Sequence, residues 1–176
     1  METKFEGELG RRRLTELLAD QKTVRGNAAL ATELADSVEV MQFKDGDVLI
    51  TEGAEDTDVY LILDGALDIW IRGKKMGQRT SGNTVGEMAA IQPGQRRSAT
   101  VRCVGDVTVA KLRETELERL AGKYPEIWHQ LARELSRRLL ERNRMVARAR
   151  EKIRVFVISS SCEVSIGCPF DPDRRS

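Results

Sequence analysis

At 176 residues, with 40% hydrophobic and 32% charged side chains, the chain has the composition of one folded module plus an appendage, which excludes a disordered or fibrous protein. A formal net charge of +1 provides no global field toward nucleic acid or membrane, so any attraction for an anion has to be local. Cys103, Cys162 and Cys168 form no CxxC pair, the N-terminus METKFEGELGRRR lacks an apolar core, and the longest apolar run is VYLIL at 59–63; a disulfide framework, a structural zinc site and a membrane span are therefore not expected, and a reducing cytoplasm is.

In chain order, residues 8–20 and 27–37 carry leucines at helical spacing, with Leu14, Leu17 and Leu18 on one face of the first and Leu30 and Leu34 on the second. Two short helices are predicted over 1–37. From Val38 the texture changes to short β-branched and aromatic runs, VEVMQF, DVLI, DVYLIL and ALDIWI, punctuated by Gly46, Gly53 and Gly65. With SATVRCV and DVTVAKL further on, the pattern predicts a roll of about eight short strands over 38–112. Helix returns in RETELERLAGKYP, with a break at Gly122 and Pro125, and continues as a long segment free of Gly and Pro over 126–152. Trp128, Leu131, Leu135, Leu139, Val146 and Ala149 recur on it in steps of three and four where Arg142 does not interrupt, a stripe suited to packing on the roll or on a second copy. The fold class is α+β, a β-jelly-roll between N-terminal helices and C-terminal lid or dimer helices at 113–152.

The stretch VGEMAAIQPGQRRSATV, residues 85–101, is more than a strand and a turn need. If GEMAA opens a short helix, its unpaired backbone N–H groups favour an anion, Gly86 gives room, and Ala89 and Ala90 keep the approach open. Arg97 can add a guanidinium fork matched to phosphate oxygens, and Ser98 a hydroxyl. Glu87 beside an anion makes sense if it accepts from a sugar hydroxyl while the arginine balances its charge. A glutamate after a glycine, or an arginine at a strand edge, is each commonplace; their joint spacing within a roll is not.

GEMAAIQPGQRRSAT resembles the phosphate-binding cassette of the cyclic nucleotide-binding domain, and FKDGDVLITEGAEDTDVYLILDGALDIW resembles the glycine-punctuated strands of that family, so the likeness covers about 38–150. It implies that Glu87 takes the ribose hydroxyl and Arg97 the phosphate. Gly86, the backbone of Met88 and Ala89, Ser98 and the adjoining Ala99 would complete the cradle, and Arg96 would lie on the surface. In the family the helices after the roll close over the base; here Arg142, Asn143 and Val146 are the lid candidates. They form no Thr-Ser pair like that of the bacterial catabolite activator, which sets cyclic AMP back. Hydrolysis of the nucleotide is not expected, since the chain has one histidine, His129, where a phosphodiesterase needs a metal cluster; the reading requires no metal and no cofactor besides the ligand.

Residues 133–154 hold nine basic and three acidic side chains, yet only 22 residues follow Arg154. That is too few for the helix-turn-helix half of an activator, and nucleic acid is not an expected partner. KIRVFVISSS at 152–161 reads as a strand and loop similar to the start of TIR domains, making 153–176 the opening of a cut TIR-like domain or a disordered tail. Such a pairing resembles the effectors of the bacterial cyclic-pyrimidine antiphage system, Pycsar. By that resemblance the chain is the non-enzymatic, homodimeric sensor of a TIR NAD⁺ hydrolase, with cyclic UMP the preferred ligand over cyclic CMP and cyclic AMP. A transcription regulator without its DNA-binding half, or a dimerisation module with a degenerate pocket, are the alternatives.

Overall fold

The computed structural model describes Phe5 and residues 7–92 and 94–161, with side chains except those of Arg142 and residues 145–161. It divides into two compact units, Met1–Glu134 and Leu135–Ser176. In the first, α1 (Gly7–Ala19) and α2 (Ala28–Ser37) precede the strands β1 (Glu39–Phe43), β2 (Val48–Ile50), β3 (Val59–Ile71), β4 (Lys74–Thr80) and β5 (Thr84–Val85). The short α3 (Glu87–Ile91) then leads to β6 (Thr100–Leu112), α4 (Glu114–Lys123) and the start of α5 (Glu126–Ser161). Antiparallel α+β architecture is thus as the sequence predicts. All six strands belong to one sheet ordered β1-β6-β3-β4, with β2 joined to β6 and β5 to β3.

Two 13-residue strands, β3 and β6, run through the middle and pair from Val59↔Leu112 to Trp70↔Thr100. The sequence reads each as two strands separated by a turn; in the structure each is continuous, and with β4 and β5 added the described residues hold six strands where about eight are expected. The difference lies at Asp64 and Gly65, where the register shifts on both sides of a bulge. Gly65 takes φ +90°, and a Cβ there would come within 2.6 Å of the Asp106 carbonyl, so the close strand approach requires glycine. The extra residue also reverses which face the odd-numbered side chains take. Val59, Leu61 and Leu63 face the helices, whereas Leu67 and Ile69 face the roll interior with Tyr60 and Ile62. β4 had no signal in the sequence; its KKMGQRT is mostly exposed and polar, as suits the outer strand of the sheet.

The helical cluster joins Leu14, Leu18, Leu30 and Leu34 of α1 and α2 to Leu117, Leu120, Ile127 and Leu131. Polar bonds fix its edges: Asn27 caps α2 by accepting from the Leu30 N–H at 3.1 Å and donates to Glu126 at 2.9 Å. Buried Gln21 donates to the Ile62 carbonyl at 3.0 Å, tying the end of α1 to β3. Gly122 stays inside α4 instead of ending it, and the chain breaks at Tyr124 and Pro125, because proline removes the next helical N–H.

One expectation for the C-terminal part changes. Residues 152–161, expected as a strand, continue α5 to Ser161: no Gly or Pro interrupts 126–161, so helical hydrogen bonding carries on unbroken. Of the hydrophobic stripe, Leu131 is buried, Trp128 packs on the helical core and Leu139 is 59% exposed, as is its neighbour Leu140 at 58%. The side chains of Val146 and Ala149, and residues 162–176 altogether, lie outside the described residues.

Candidate functional site

The cassette has its predicted local form. β5 ends at Val85, Gly86 turns the chain at φ +85°, and Glu87 begins α3. Gly86 is needed there for contact as well as for backbone: a Cβ would fall 2.6 Å from Arg97 Nη1 and 2.7 Å from the Asp58 carbonyl oxygen. Ala89 and Ala90 are buried, and Ala90 packs into the helical core, so their small size seats α3 on the sheet instead of opening a path to its N-terminus. Met88, by contrast, is 46% exposed, and the exposed Ser98 sets its hydroxyl 3.6 Å from the Met88 sulfur. Ala99 is half-buried at the approach to β6.

Glu87 and Arg97 are both only 3% exposed. Burial of two charged side chains is costly unless each is compensated, and for Arg97 the compensation is visible. Its Nη1 donates to the Gly86 carbonyl at 2.9 Å, Nη2 to the Asp58 carbonyl at 2.8 Å, and Nε to Asp56 Oδ2 at 3.0 Å. Nη2 also pairs with the same Asp56 oxygen. The main chain holds the residue as well, with Arg97 N donating to the Ala54 carbonyl at 2.9 Å and Gly53 N to the Arg97 carbonyl at 2.8 Å. The hydrogen bond from Arg97 holds the Asp56 carboxyl below its ordinary range, against the opposing effect of burial.

The guanidinium thus points inward at Gly86 and already carries an anion, a carboxylate whose side chain remains 46% exposed. Arg96, one residue earlier, is exposed and pairs with Glu55 at 2.5 Å, which places it on the surface as expected. Sequence reasoning missed Asp56; the available signal was the acidic loop TEGAEDTD facing an Arg-Arg pair, but nothing in it separates Asp56 from Glu52, Glu55 or Asp58. A cleft of about 480 Å³ lies elsewhere, among Asp36, Glu39, Lys111, Arg113, Glu116 and Arg119, and no cassette residue lines it. His129 is exposed on α5. Of the lid candidates Asn143 is exposed, and the side chains of Arg142 and Val146 lie outside the described residues.

A six-stranded antiparallel roll with a glycine-turned short helix and an inward arginine defines a class, and comparison with known proteins names it. Residues 40–124 match the family model of the cyclic nucleotide-binding domain. The regulatory domain of Toxoplasma gondii PKA, solved with cAMP, shares the fold with a TM-score of 0.63 over 72% of this chain and 50% of its own, at 22% identity. Sequence likeness is greater to Pycsar effectors. BcPycTIR of Burkholderia cepacia is 49% identical over 90% of this chain and 52% of its own length. XpPycTIR of Xanthomonas perforans is 38% identical over 89% of this chain and 52% of its own. The chain therefore spans about half the length of the curated relatives it matches. No helix among the described residues is long and apolar enough to cross a membrane.

Proposed function

We propose that this chain is the receptor segment of a Pycsar-type effector, binding a 3′,5′-cyclic mononucleotide, with cyclic UMP the preferred ligand, and passing occupancy to a TIR NAD⁺ hydrolase in the longer protein. The observation that carries this reading is the buried Arg97, aimed at Gly86 and loaded with Asp56. A cyclic phosphate is a monoanion, as the carboxylate is, so ligand binding exchanges one anion for another. Arg97 keeps its charge-assisted bonds throughout, and the half-exposed Asp56 returns to water at modest cost. Gly86 and the backbone N–H groups of Met88 and Ala89 receive the phosphate, Ser98 and Ala99 border it, and Glu87 accepts from the ribose hydroxyl.

The chain acts by binding, with no catalytic residue assigned to it. It works in the cytoplasm as a homodimer, for which the exposed Leu139 and Leu140 of α5 supply apolar surface. The likeness to effectors named as Pycsar proteins supports the link to antiphage defence and a TIR partner domain.

Titration calorimetry with the cyclic nucleotides of U, C, A and G tests the proposal: binding is expected, and Arg97→Ala should cost about 2–5 kcal/mol by stranding the phosphate charge. Absence of heat with all four at high micromolar ligand would remove it.

A further inference from the structure

The interior wall of the roll carries a charged side chain that the cassette does not account for. β4 pairs with β3 in the register Leu67↔Arg79, Asp68↔Gln78 and Ile69↔Gly77. Residues directly opposite on neighbouring strands project to the same side of a sheet. Gln78 and Asp68 obey this, joined by a 3.1 Å hydrogen bond. Leu67 is fully buried in the roll interior and Ile69 packs against the same cluster, so Arg79 and Gly77 belong to the interior side.

Arg79 Nη1 lies 3.0 Å from the Gln78 carbonyl oxygen, and 3.9 Å from the point a Cβ on Gly77 would occupy. The guanidinium therefore extends along backbone that glycine leaves bare. Lys74 and Lys75 of the same strand are exposed, as charges guarding a sheet edge are, whereas Arg79 is half-buried. The apolar wall beside it is continuous with the cassette: Leu67, Val85 and Ile50 share one cluster, and Ile50 Cδ1 sits 3.3 Å from the Cβ position of Gly86.

We propose that Arg79 selects the base, and that it selects for a ring carbonyl. This rests on the receptor reading above, because a nucleotide with its phosphate at Arg97 lays its base along the wall that Arg79 borders. A guanidinium only donates. Uracil, cytosine and guanine each offer a carbonyl oxygen, the stronger acceptor, whereas adenine accepts only through ring nitrogens and carries an amino donor where guanine has its carbonyl. Arg79 thus favours the cyclic nucleotides of uracil, cytosine and guanine and disfavours cyclic AMP.

The test is calorimetry of the full 176-residue chain and of Arg79→Leu and Arg79→Lys, with all four 3′,5′-cyclic nucleotides, alongside thermal unfolding of each protein. Unchanged protein should bind at least one carbonyl-bearing ligand about tenfold or more tighter than cyclic AMP. Arg79→Leu should weaken the carbonyl-bearing ligands by about 10- to 100-fold and move cyclic AMP by less than about threefold. Arg79→Lys, which keeps the charge without the fork, should fall between, and it carries the test if the leucine variant unfolds. A uniform shift across the four ligands, or cyclic AMP as the tightest ligand of the unchanged protein, overturns the assignment while leaving the receptor reading in place. No binding of any ligand by the unchanged protein overturns both.

Discussion

The two apolar faces of the β3–β6 ladder are built from similar residues and end differently. On one, Val59, Leu61, Leu63, Ala110 and Leu112 meet leucines from four helices. On the other, Tyr60, Ile62, Leu67, Val101 and Val109 line the roll, and that face runs out at Gly86, Glu87 and Arg97. Burial of aliphatic surface stabilises the first at roughly 25 cal/mol per Å² with little opposing it. The second holds buried charge that must be compensated by hydrogen bonds and an acidic partner. Stability concentrates on the helical side and ligand chemistry at the rim of the roll, so a change on one side should leave the other's property largely intact.

The strongest way to break that contrast is Leu120→Ala, which empties a fully buried site in the helical cluster. Chemical denaturation should show a loss of about 2–5 kcal/mol, while ligand affinity at a temperature where the variant remains folded stays unchanged. A weaker affinity would show the helical core and the cassette to be coupled.

Gly86→Ala should act on both properties, since a methyl group there meets the Arg97 guanidinium and the Asp58 carbonyl and the backbone has positive φ. A destabilisation of about 1–3 kcal/mol is expected by thermal melt, with a loss of cyclic nucleotide binding that Leu120→Ala does not share.

Asp56→Asn sharpens the contrast from the functional side. With the competing anion neutralised, calorimetry at neutral pH should find ligand binding tighter by about 3- to 10-fold. Stability should change by less than about 1 kcal/mol, because the pair is half-exposed on the Asp56 side. The acid dependence has a definite sign. Arg97 depresses the folded-state pKa of Asp56, so the contribution of the pair is complete above the unfolded value of ~3.9 and is lost as pH falls through the lower folded value. Urea titrations between about pH 5 and pH 3 should show a shallower loss of stability in the asparagine variant than in the unchanged protein.

The smallest effect concerns Cys103 in the roll interior, 3% exposed and with its thiol pushed up to about 11 by burial. At pH 8, peptide mapping after iodoacetamide treatment should find Cys103 alkylated at least about 100-fold more slowly in the folded chain than in urea, because the thiolate is the reacting species. Ready alkylation would mean that the roll interior opens as easily as its charged rim.

Much of this was written in the sequence, because it depends on local spacing and on residue type. Leucines three and four apart define α1 and α2, the Gly-Glu turn opens α3, and an Arg following at a fixed distance marks the cassette. Each needs only the geometry of a helix or strand to be read. What the tertiary structure alone decided comes from contacts between distant segments. Asp64 and Gly65 form a bulge instead of a turn because β6 runs past them on the other side, and this reverses the facing of β3. Asp56 rather than another acid of its loop reaches Arg97, 41 residues away, because β2 and β3 bring the loop to the end of α3. Arg79 faces inward only through its pairing with Leu67, a consequence of strand register, which no window of sequence around it specifies.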